Sequence, residues 1–561
     1  MKLREIKIHN FRSLRDVAVG VSDYGLLIGA NNAGKSSVID AIRVAYGDSK
    51  YDAARDRPKP AGDAVDPECW IELEFELSVD EAANLKVEYL KDGNRLRVKR
   101  VLDSPDKKRL HLYAFENGVL SANQFYGDDN VGQGKLGTVV HVPAVSRVDD
   151  VTKFSGPSPL RELVNGLFKK LLKNSVAFAE LQIALAKFGG AVVQEKTADG
   201  LSLSSLEGAI NSGLSDWDVG FKFRTNAIPE TDVVKSLLDF SLFDGATQSS
   251  QPPAAYGQGL QRHLIFTLLM VASGFAEAKP ASEKKEFAPE LTILLFEEPE
   301  VFLHPQQQAA LDSSLRKLAK GDTLQVIATT HSSHFVSRSA DDLPALCRMQ
   351  KNGAIASTGQ VSQVALADLF LANQEINGLA AKYKNYAASA SDLISEMEAL
   401  KYFMWLSAER SALFFARRVL IVEGPTEVGA INYLLQSGHL DIPRDYFVLD
   451  AMGKLNVHRF MNLLGELKIN HSVLHDNDVP IKTGEDAAFH QEVNDLIQRS
   501  RNPYTQKIHV LETDLEAFFD YSVKGRAHSK PTRMVLALQQ GEITQEAVAR
   551  FTELARSLLI A

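Results

Sequence analysis

The sequence "LLIGANNAGKSSVIDAI", residues 26–42, places Gly29, Gly34, Lys35 and Ser36 at the spacing of a phosphate-binding loop. An apolar run that predicts a strand precedes the loop, and a helical pattern follows it, which is the context that this motif requires. Backbone N–H groups of the loop can face phosphates at the helix N-terminus. Lys35 would neutralise the β- and γ-phosphates, and Ser36 would hold Mg²⁺. The stretch therefore predicts an α/β domain that binds ATP.

Two later strands end on residues that suit the same site. In "TILLFEEPEVFLHP", residues 292–305, four apolar residues deliver Glu297 and Glu298 to a strand end. One carboxylate can lie near Mg²⁺, and the next can polarise a water for attack on the γ-phosphate. In "VIATTHSSHF", residues 326–335, a buried strand ends at His331, which is placed to sense the γ-phosphate. A lone histidine at a strand end is usually structural, and the neighbouring motifs favour the nucleotide role here.

A fourth segment, "YGQGLQRHLIF", places Gly257, Gly259 and Gln261 just before an apolar helix. Helix N-termini bind anions, so the segment can contact a phosphate. Together the four motifs resemble the ATP-binding-cassette (ABC) ATPases of the SMC and RecF type. The resemblance implies that two heads sandwich two ATP molecules and that this segment of one head completes the site of the other.

The stretch "IHNFRSL", residues 8–14, is also typical of that group, and the resemblance implies a position for Arg12 near the nucleotide. Two residues depart from the pattern. Glu297 replaces the usual Walker B aspartate, which puts the metal geometry in doubt, and Gly257 replaces the usual signature serine, which removes a hydroxyl. ATP binding is therefore expected more firmly than fast turnover. The predicted nucleotide-binding residues are Asn31, Asn32, Gly34, Lys35, Ser36, Ser37, Gly257, Gly259, Gln261 and Glu297.

A second acidic group lies near the C-terminal end of the chain. The run "VLIVEGPTE" ends an apolar strand at Glu423 and places Glu427 four residues on, whereas "SVLHDNDVP" ends another strand with Asp476 and Asp478. Carboxylates gathered at one place repel one another unless cations lie between them. Oxygen-only ligands suit Mg²⁺ or Mn²⁺. Taken singly, each motif is also compatible with a solvated acidic loop.

Together the acidic motifs resemble the Toprim fold of topoisomerases, primases and some nucleases, in which a glutamate and an Asp-x-Asp pair hold divalent metal for phosphodiester chemistry. The segment between them has Gly453 and Lys454 in the inter-motif loop. An ABC-type ATPase followed by a Toprim unit resembles the overcoming-lysogenization-defect (OLD) family of nucleases. This resemblance covers nearly the whole chain and is strongest at residues 1–45, 255–335 and 417–480.

The C-terminal tail supports the OLD resemblance. The stretch "LETDLEAFF" supplies Glu512, Asp514 and Glu516, and "HSKPTRM" supplies Lys530. The resemblance implies that Glu512 or Asp514 helps to bind a second metal ion, and the sequence does not choose between them. It also implies that Lys530 stabilises charge on the scissile phosphate, with a solvated lysine as the alternative. The implied catalytic residues are Glu298, His331 and Lys530, and the implied metal ligands are Ser36, Glu423, Glu427, Asp476, Asp478, Glu512 and Asp514.

Alternating strands and helices near both ends predict the fold class α/β, and a helical pattern between them predicts a helical insert. The resemblances imply that the first α/β part is an ABC-type ATPase head and that the C-terminal part is a Toprim α/β domain. The ATPase domain is predicted at residues 1–159 and 246–375. The helical insert at 160–245 is expected to mediate dimerisation. A helical connector is predicted at 376–415, followed by the Toprim nuclease domain at 416–561.

The composition of the 561 residues fits a multi-domain globular protein. A net charge of -9 argues against a surface that binds nucleic acid everywhere, but it allows a local basic groove. Cys69 and Cys347 lie far apart without metal-ligand spacing, so both are expected to be buried thiols in a reducing cytosol. No signal peptide is apparent, and no apolar run approaches the roughly 20 residues of a membrane span. We expect a cytoplasmic protein without membrane contact.

These observations predict an ATP-binding endonuclease that depends on Mg²⁺ or Mn²⁺ and cleaves nucleic acid, DNA before RNA, by a two-metal mechanism. The resemblance implies anti-phage defence, a homodimer or higher homo-oligomer, and a defence partner such as a UvrD-like helicase or a retron reverse transcriptase complex. Three alternatives stay open. They are an ATP-gated RNA or tRNA nuclease, a non-catalytic ATP-dependent DNA clamp, and a topoisomerase or primase-like nucleotidyl transferase. The sequence does not say whether ATP activates or inhibits cleavage.

Overall fold

The computed structural model divides the chain into two compact units, one formed by residues 1–144 and 279–561 and the other by residues 145–278. Much of the predicted insert and connector lies outside the described residues, so the predicted domain boundaries stay predictions. The described residues are 1–59, 66–126, 135–144, 175–217, 219–223, 241–275, 287, 289, 291–336, 340–383, 386, 398, 401–402, 405–443, 445–522 and 529–560.

The strands predicted around the nucleotide motifs and the acidic motifs are confirmed as β3, β12, β13, β16 and β18 in the following chain order. The strands of the described residues are β1 Lys2–Phe11, β2 Leu14–Gly20, β3 Tyr24–Ile28, β4 Cys69–Glu76, β5 Leu90–Lys91, β6 Arg95–Asp103, β7 Leu112–Glu116, β8 Val119–Gln124, β9 Thr138–Val142, β10 Leu242–Asp244, β11 Ser249–Gln251, β12 Thr292–Glu297, β13 Leu324–Thr330, β14 Leu346–Asn352, β15 Ile355–Gln360, β16 Arg418–Val422, β17 Tyr446–Asp450, β18 Asn470–His475 and β19 Thr505–Val510.

The helices predicted directly after the phosphate-binding loop and after Glu423 are confirmed as α1 and α10. The α-helices of the described residues are α1 Lys35–Ala45, α2 Ala53–Asp56, α3 Val79–Ala83, α4 Val176–Gln194, α5 Leu203–Gly213, α6 Gln258–Phe275, α7 Pro305–Ala319, α8 Gln363–Asn373, α9 Glu375–Ala380, α10 Pro425–Gln436, α11 Val457–Glu466, α12 Gly484–Arg499, α13 Leu515–Phe518, α14 Lys530–Gln540 and α15 Gln545–Leu559.

The larger sheet has 13 strands in the order β8-β7-β6-β4-β1-β2-β15-β14-β3-β13-β12-β9, with β5 beside β6. The five strands from β14 to β9 in this order run parallel to one another. Every residue of β3 and β13 is buried, as expected for central parallel strands that read as continuous apolar runs. Because the carboxyl ends of parallel strands meet at one edge, the phosphate-binding loop, Glu297 and His331 reach the same edge of the sheet.

The first glycine of the phosphate-binding loop lies against the neighbouring strand β14. Gly29 has φ 138°, and a Cβ at this position would overlap the backbone carbonyl of Met349. Only glycine combines this backbone conformation with so close an approach. The loop is therefore packed directly on the backbone of β14.

The second unit spans residues 145–278. Its described residues form helices α4 and α5, the hairpin β10–β11 and helix α6. The helical pattern predicted within 160–245 is confirmed in α4 and α5, whereas the hairpin was not predicted. The sequence prediction placed Gly259 and Gln261 before the apolar helix, and this is wrong. The backbone N–H of Gln261 donates to the carbonyl of Gly257, so the first turn of α6 already contains both residues.

The smaller sheet lies in the C-terminal part of the first unit and has the order β17-β16-β18-β19. All four strands are parallel. Glu423 follows β16, and Asp476 follows β18, so both carboxylates lie at the carboxyl edge of this sheet. Helix α14 packs against α10, which begins directly after Glu423. The second acidic group is thus assembled by sheet topology, as its sequence pattern predicts.

The two sheets of the first unit contact each other through the hairpin β14–β15. A Cβ on Gly359 of β15 would overlap the carbonyl oxygen of Leu467, which follows α11. A further ion pair joins the chain after α9 to α12, since the Lys382 ammonium lies 2.8 Å from a carboxylate oxygen of Glu492. Within the described residues, no helix is both long and apolar enough to cross a membrane.

Candidate functional site

The lysine of the phosphate-binding loop points into the loop. Lys35 Nζ donates hydrogen bonds to the carbonyl oxygens of Gly29, at 2.9 Å, and Ala30, at 3.0 Å. Burial lowers the pKa of Lys35 to about 8, although the negative charges of Glu298 and Glu300 oppose the shift. A buried ammonium held mainly by carbonyl oxygens favours the arrival of an anion. The geometry suits the phosphate role that the sequence predicts.

Ser36 and Glu297 are brought together by the topology of the larger sheet. Ser36 Oγ donates to Glu297 Oε2 at 3.0 Å, and His141 Nε2 lies 2.8 Å from Glu297 Oε1. His141 stands on β9, which pairs with β12 in parallel register. Sequence reasoning missed His141, because no motif marks it and the pairing joins residues far apart in the chain. The imidazole fixes the longer carboxylate that replaces the usual aspartate.

Glu298 and His331 face each other at the same edge. His331 Nε2 lies 3.5 Å from Glu298 Oε1. Glu298 has φ 43°, a left-handed conformation that non-glycine residues adopt rarely and mostly at functional sites. Burial lowers the pKa of His331, and the charge of Lys35 adds to the effect. The imidazole is therefore neutral at pH 7.

Glu300 is a further residue that sequence reasoning missed. It is buried, and one of its carboxylate oxygens accepts a hydrogen bond from the backbone N–H of His331 at 2.6 Å. Burial raises the pKa of Glu300. This carboxylate fixes the start of the loop that carries His331. The available signal was a third acidic residue directly after Glu-Glu-Pro in an otherwise apolar segment.

Other residues predicted for the nucleotide site have the following positions. Asn31 and Asn32 are exposed in the loop, and Ser37 is half-buried in the first turn of α1. The Arg12 guanidinium pairs with Asp40 of α1, at 2.6 Å, and with the buried Asp56, at 2.8 Å. Gly257, Gly259 and Gln261 belong to the second unit. Their predicted contact with a nucleotide on another head stays a prediction.

At the carboxyl edge of the smaller sheet, Glu423, Glu427 and Asp476 form a group of interacting carboxylates. Asp476 N donates to Glu423 Oε2 at 3.3 Å, and Gly424 N donates to Glu427 Oε2 at 3.0 Å. Burial raises the pKa of Glu423 and of Glu427 to about 7. Burial, followed by repulsion from Glu423 and Glu427, raises the pKa of Asp476 to about 9. The positive charges of Lys454 and Lys530 oppose the shift at Glu423 without outweighing it, so the negative charge of the group is only partly compensated.

Asp478 has a different environment. Lys454 Nζ donates to Asp478 Oδ2 at 3.0 Å and to the carbonyl of Asn477 at 2.9 Å. His490 Nδ1 of α12 lies 3.3 Å from the same Asp478 oxygen. Asp478 has φ 63°, a strained conformation that persists only where neighbouring contacts enforce it. Sequence reasoning placed Lys454 in the loop without a role and missed His490, which lies on a separate helix.

The C-terminal tail contributes a lysine and a carboxylate. Lys530 Nζ lies 2.7 Å from Glu516 Oε1. Burial opposes the charge on this ammonium, but the hydrogen bond and attraction from Glu516 outweigh it and raise the pKa of Lys530. Glu516 is buried, and its charge contributes to the raised pKa of Glu427. Glu516 was named in the sequence pattern but was not selected as a ligand.

The two tail carboxylates that were selected are placed differently. Asp514 accepts a hydrogen bond from the backbone N–H of Ala517 at 2.9 Å and so caps α13. Its charge still contributes to the raised pKa of Asp476. Glu512 is exposed, and its carbonyl accepts from Asn477 at 3.3 Å. The structure favours Asp514 over Glu512 as a contributor to the cluster.

The donor chemistry of this cluster fits a divalent cation. Asp476 Oδ1 is buried without a hydrogen-bond partner, and buried carboxylates without compensation are those that a metal ion stabilises. Across the described residues, no three His, Cys, Asp or Glu side chains already converge as the ligands of one ion do. The fit therefore rests on oxygen donors, mutual repulsion and the unpartnered oxygen. Glu423, Glu427, Asp476 and Asp478 are the residues that would hold the ion.

The fold and these two sites define a protein that joins a nucleotide-binding domain to a TOPRIM domain. The AAA ATPase domain family matches residues 1–122 and 178–336, which together cover half of the chain. The TOPRIM domain of overcoming lysogenization defect protein-like proteins matches residues 414–478. The chain belongs to the AAA ATPase domain family, and it carries an OLD-like TOPRIM domain.

Two nucleases align with most of this chain. The Old nuclease of Escherichia phage P2 is 21% identical over 503 residues, covering 85% of this chain and 77% of that protein. The OLD nuclease of Thermus scotoductus is 22% identical over 576 residues, covering 99% of each. Among solved structures, the SMC head bound to the C-winged helix domain of ScpA is 14% identical, with a TM-score of 0.39, covering 66% of this chain and 100% of that chain. The fold assignment rests on the sheet orders and the family matches.

These findings confirm three sequence predictions. They are the OLD-type combination of ATPase and TOPRIM domains, the α/β fold with an ATPase domain and a C-terminal TOPRIM domain, and the enzyme class of a nuclease. ATPase and TOPRIM domains in general use a nucleotide and a divalent metal ion. The roles of the individual residues stay predictions.

Proposed function

We propose that this protein is an endonuclease that depends on Mg²⁺ or Mn²⁺, cleaves DNA, and is regulated by ATP bound to its ATPase domain. The observation that carries the proposal is the buried group formed by Glu423, Glu427 and Asp476, in which Asp476 Oδ1 has no hydrogen-bond partner and burial and mutual repulsion raise the pKa values in spite of two lysines. Such a group destabilises the folded chain unless it binds protons or cations. The names of the phage P2 and Thermus relatives support the nuclease assignment.

The residues of this site would have three roles, which are metal binding, positioning of a metal ligand and stabilisation of charge. Glu423, Glu427, Asp476 and Asp478 would hold the metal, with Glu516 and Asp514 as further carboxylates on the side of Lys530. Bound divalent ions supply an activated water and stabilise the leaving oxygen. Lys454 and His490 hold Asp478 in its strained conformation. Lys530 has a raised pKa and so keeps its positive charge, which can offset charge on the scissile phosphate.

The ATPase domain would supply regulation. Lys35 would bind the phosphates, Ser36 and Glu297 would hold Mg²⁺, and Glu298 would polarise the attacking water next to His331. Pairing of two heads, with Gly257, Gly259 and Gln261 of one facing the nucleotide of the other, is proposed from the ABC resemblance. We also propose a homodimer or higher homo-oligomer. A place in anti-phage defence, with or without a partner protein, is proposed from the OLD resemblance alone.

The deciding experiment is cleavage of supercoiled plasmid by purified protein with Mg²⁺ or Mn²⁺, with and without ATP. Asp478→Ala is expected to abolish cleavage and to leave ATP binding intact, since Asp478 belongs only to the metal cluster. Cleavage retained in this variant would contradict the site. Absence of plasmid cleavage by the native chain, together with cleavage of tRNA, would replace DNA by RNA as the substrate.

A second variant separates the two domains. Lys35→Ala is expected to remove ATP binding while any cleavage that occurs without ATP continues. If metal-dependent nicking without ATP also disappeared, the two sites would not be separable and the proposed division of labour would be wrong. Light scattering with and without ATP tests self-association, and a strictly monomeric mass in both states would contradict head pairing.

A further inference from the structure

Arg348 lies on β14, the strand that pairs with β3 and contacts the phosphate-binding loop. In the parallel register of β14 and β3, Arg348 pairs with Ile28, the residue directly before Gly29. The next residue, Met349, provides the carbonyl against which Gly29 packs. A displacement of the loop would therefore act directly on the backbone of β14 at Arg348 and Met349, because close-packed backbones transmit displacement rather than absorb it.

The side chain of Arg348 leaves the larger sheet and reaches the smaller one. Its guanidinium is buried, at 4% exposure, and donates to the carbonyl oxygens of Ala416 at 2.7 Å and Phe414 at 3.1 Å. A longer contact of 3.4 Å joins it to the carbonyl of Lys468, and the amide oxygen of Gln350 accepts from it at 2.8 Å. Burial lowers the pKa of Arg348 to about 10. A buried guanidinium is tolerated only when its donors are satisfied, so these contacts are tightly constrained.

The three carbonyl oxygens that accept from Arg348 lie near the amino ends of two strands of the smaller sheet. Phe414 and Ala416 lie shortly before β16, which Glu423 follows, and Lys468 lies shortly before β18, which Asp476 follows. These strands are neighbours in the smaller sheet, with Arg418 opposite Asn470 in register. One arginine thus fixes the amino ends of both strands that carry the metal-binding carboxylates. The position of β16 relative to β18 along the strand direction determines the distance between the carboxylates that follow their carboxyl ends.

A second contact along the same hairpin acts in parallel. Gly359 of β15 lies so close to the carbonyl of Leu467 that a Cβ would overlap it. Strand β15 pairs with β14 in antiparallel register, with Arg348 opposite Gly359. Both cross-sheet contacts therefore belong to one pair of residues in the hairpin. The hairpin is a continuous connection between the phosphate-binding loop and the amino ends of β16 and β18.

We propose that Arg348 is a positioning residue that transmits the nucleotide state of the phosphate-binding loop to the two carboxylate-bearing strands. The inference rests on the proposed function, since it assigns the route of the proposed ATP regulation. Binding of a nucleotide displaces the loop against Met349, β14 moves, and the guanidinium shifts the amino ends of β16 and β18 relative to the rest of the smaller sheet. Coupling of this kind requires a contiguous packed path, which this hairpin provides.

The test compares Arg348→Lys with the native full-length chain. Lysine keeps the charge and loses the fork that reaches several carbonyls at once. Plasmid cleavage is measured with and without ATP, and hydrogen exchange of residues 414–422 and 468–475 is measured under both conditions. We expect the ratio of the two cleavage rates to move at least threefold toward 1 and the ATP-induced change in exchange to disappear. A merely structural role would lower the melting temperature and leave the ratio unchanged.

The matched control is Arg459→Lys. Arg459 is equally buried and donates to the carbonyl of Leu455 at 2.8 Å and to both oxygens of the buried Glu398 carboxylate at 3.0 Å, but it does not lie on the hairpin. This variant should keep the ATP ratio of the native chain. If Arg348→Lys does not fold, Gln350→Met removes the amide group whose oxygen accepts from one guanidinium nitrogen and leaves Arg348 in place, and a smaller shift of the ratio in the same direction is expected.

The outcomes separate the two proposals. An ATP effect that is present in the native chain and unchanged in Arg348→Lys overturns the inference and leaves the regulated nuclease intact. Absence of any ATP effect in the native chain, with metal-dependent cleavage that Asp478→Ala removes, contradicts ATP regulation and this inference with it. Absence of cleavage on DNA and RNA contradicts the proposed function, and the exchange measurement then still tests Arg348, because it does not require cleavage.

Discussion

The imidazole of His141 lies 2.8 Å from the carboxylate of Glu297, whose other oxygen accepts from Ser36. His141→Ala removes a hydrogen bond to a charged group, which typically contributes about 1.5–3 kcal/mol. We expect the affinity for Mg²⁺–ATP to fall by about tenfold, while the affinity for ATP in EDTA stays within twofold. Calorimetric titration with and without Mg²⁺ measures both. His9→Ala, which removes an imidazole paired with Asp16 and Asp66 instead, is the control. Equal affinities for Mg²⁺–ATP in both variants would mean that His141 does not position Glu297.

Asp476 is expected to destabilise the protein when no divalent ion is present. The raised pKa of this residue, about 9, reflects burial and repulsion from Glu423 and Glu427. Asp476→Asn replaces this carboxyl, whose ionised form is disfavoured by burial and repulsion, with a neutral amide, so the melting temperature in EDTA should rise, by about 2–4 °C for each kcal/mol gained. Adding Mn²⁺ should stabilise the native chain and leave the variant unchanged, because a bound ligand stabilises the folded state.

Asp495→Asn serves as the control for this prediction, since Asp495 is an exposed acid on α12. It should keep both the melting temperature in EDTA and the increment produced by Mn²⁺. If Asp476→Asn instead lowered the melting temperature and retained the Mn²⁺ increment, the role of Asp476 would be that of a structural hydrogen-bond acceptor.

Lys530 is expected to act on the chemical step and not on metal binding. Its ammonium pairs with Glu516 and keeps its charge through a raised pKa. Removing one group that stabilises developing charge typically lowers the rate by about 10²–10³-fold. Lys530→Met should therefore slow cleavage to this extent at saturating Mn²⁺ while the Mn²⁺-dependent rise in melting temperature persists. Arg533→Met, on the exposed side of the same helix, should cleave normally. Comparable losses in the two variants would indicate a general effect of charge.

The residues that could be identified from the sequence are those whose role follows from a short local sequence pattern. The loop that contains Lys35 is flanked by a strand and a helix within a short segment, and Glu423 and Asp476 each follow an apolar run. Neighbouring strands in a parallel sheet then bring such ends together without further information. For this reason the fold class and both clusters could be predicted before the structure was known.

The residues missed from sequence depend on contacts between distant elements. His141 reaches Glu297 only because β9 pairs with β12, and no local signal reports which strand forms that edge. His490 reaches Asp478 from a separate helix. For the tail, a local signal did exist. Asp514 lies where an N-cap residue precedes a helix, so its use as a cap could have been predicted, and Glu516, two residues later, could have been preferred.

Two buried histidines should each make a contribution to stability that falls on acidification below pH 6.5, opposite in sign to the contribution of the carboxylates with raised pKa values at the smaller sheet. Burial lowers the pKa of His458 to about 3 and of His471 to about 4. At these two positions the unfolded chain binds more protons than the folded chain below pH 6.5, so their contribution to the free energy of unfolding falls as the pH falls. Each histidine contributes about 1.4 kcal/mol per pH unit between pH 6 and pH 5.

His458→Gln isolates one of these contributions. The glutamine amide can donate to the carbonyl of Asn373, which His458 Nε2 approaches at 3.3 Å. Urea unfolding between pH 5 and pH 7 should then depend on pH less steeply by one proton. The exposed His439 provides the comparison, and His439→Gln should retain the native slope. An unchanged slope in His458→Gln would indicate that His458 is already protonated in the folded state.

The close contact at Gly359 should make this position intolerant of any side chain. Gly359→Ala would place a Cβ on the carbonyl of Leu467. This carbonyl belongs to the backbone, so it cannot rotate away as a flexible side chain can. Overpacking of this kind typically costs about 1–3 kcal/mol. Gly378→Ala in α9, where the Cβ would meet open space, is the matched control and should be neutral or stabilising. Thermal unfolding of both variants measures the difference. Equal stability would mean that the hairpin can move away from Leu467 without cost.

The same contact limits how freely the two halves of this protein can be exchanged with those of its relatives. Gly359 lies in the ATPase half, whereas the Leu467 carbonyl that requires it lies in the TOPRIM half. A chimera made by joining the halves at a loop would bring together surfaces selected in different proteins. Recombination that preserves function must therefore transfer the hairpin from β14 to β15 together with the TOPRIM half, even though the hairpin belongs by sheet order to the ATPase half.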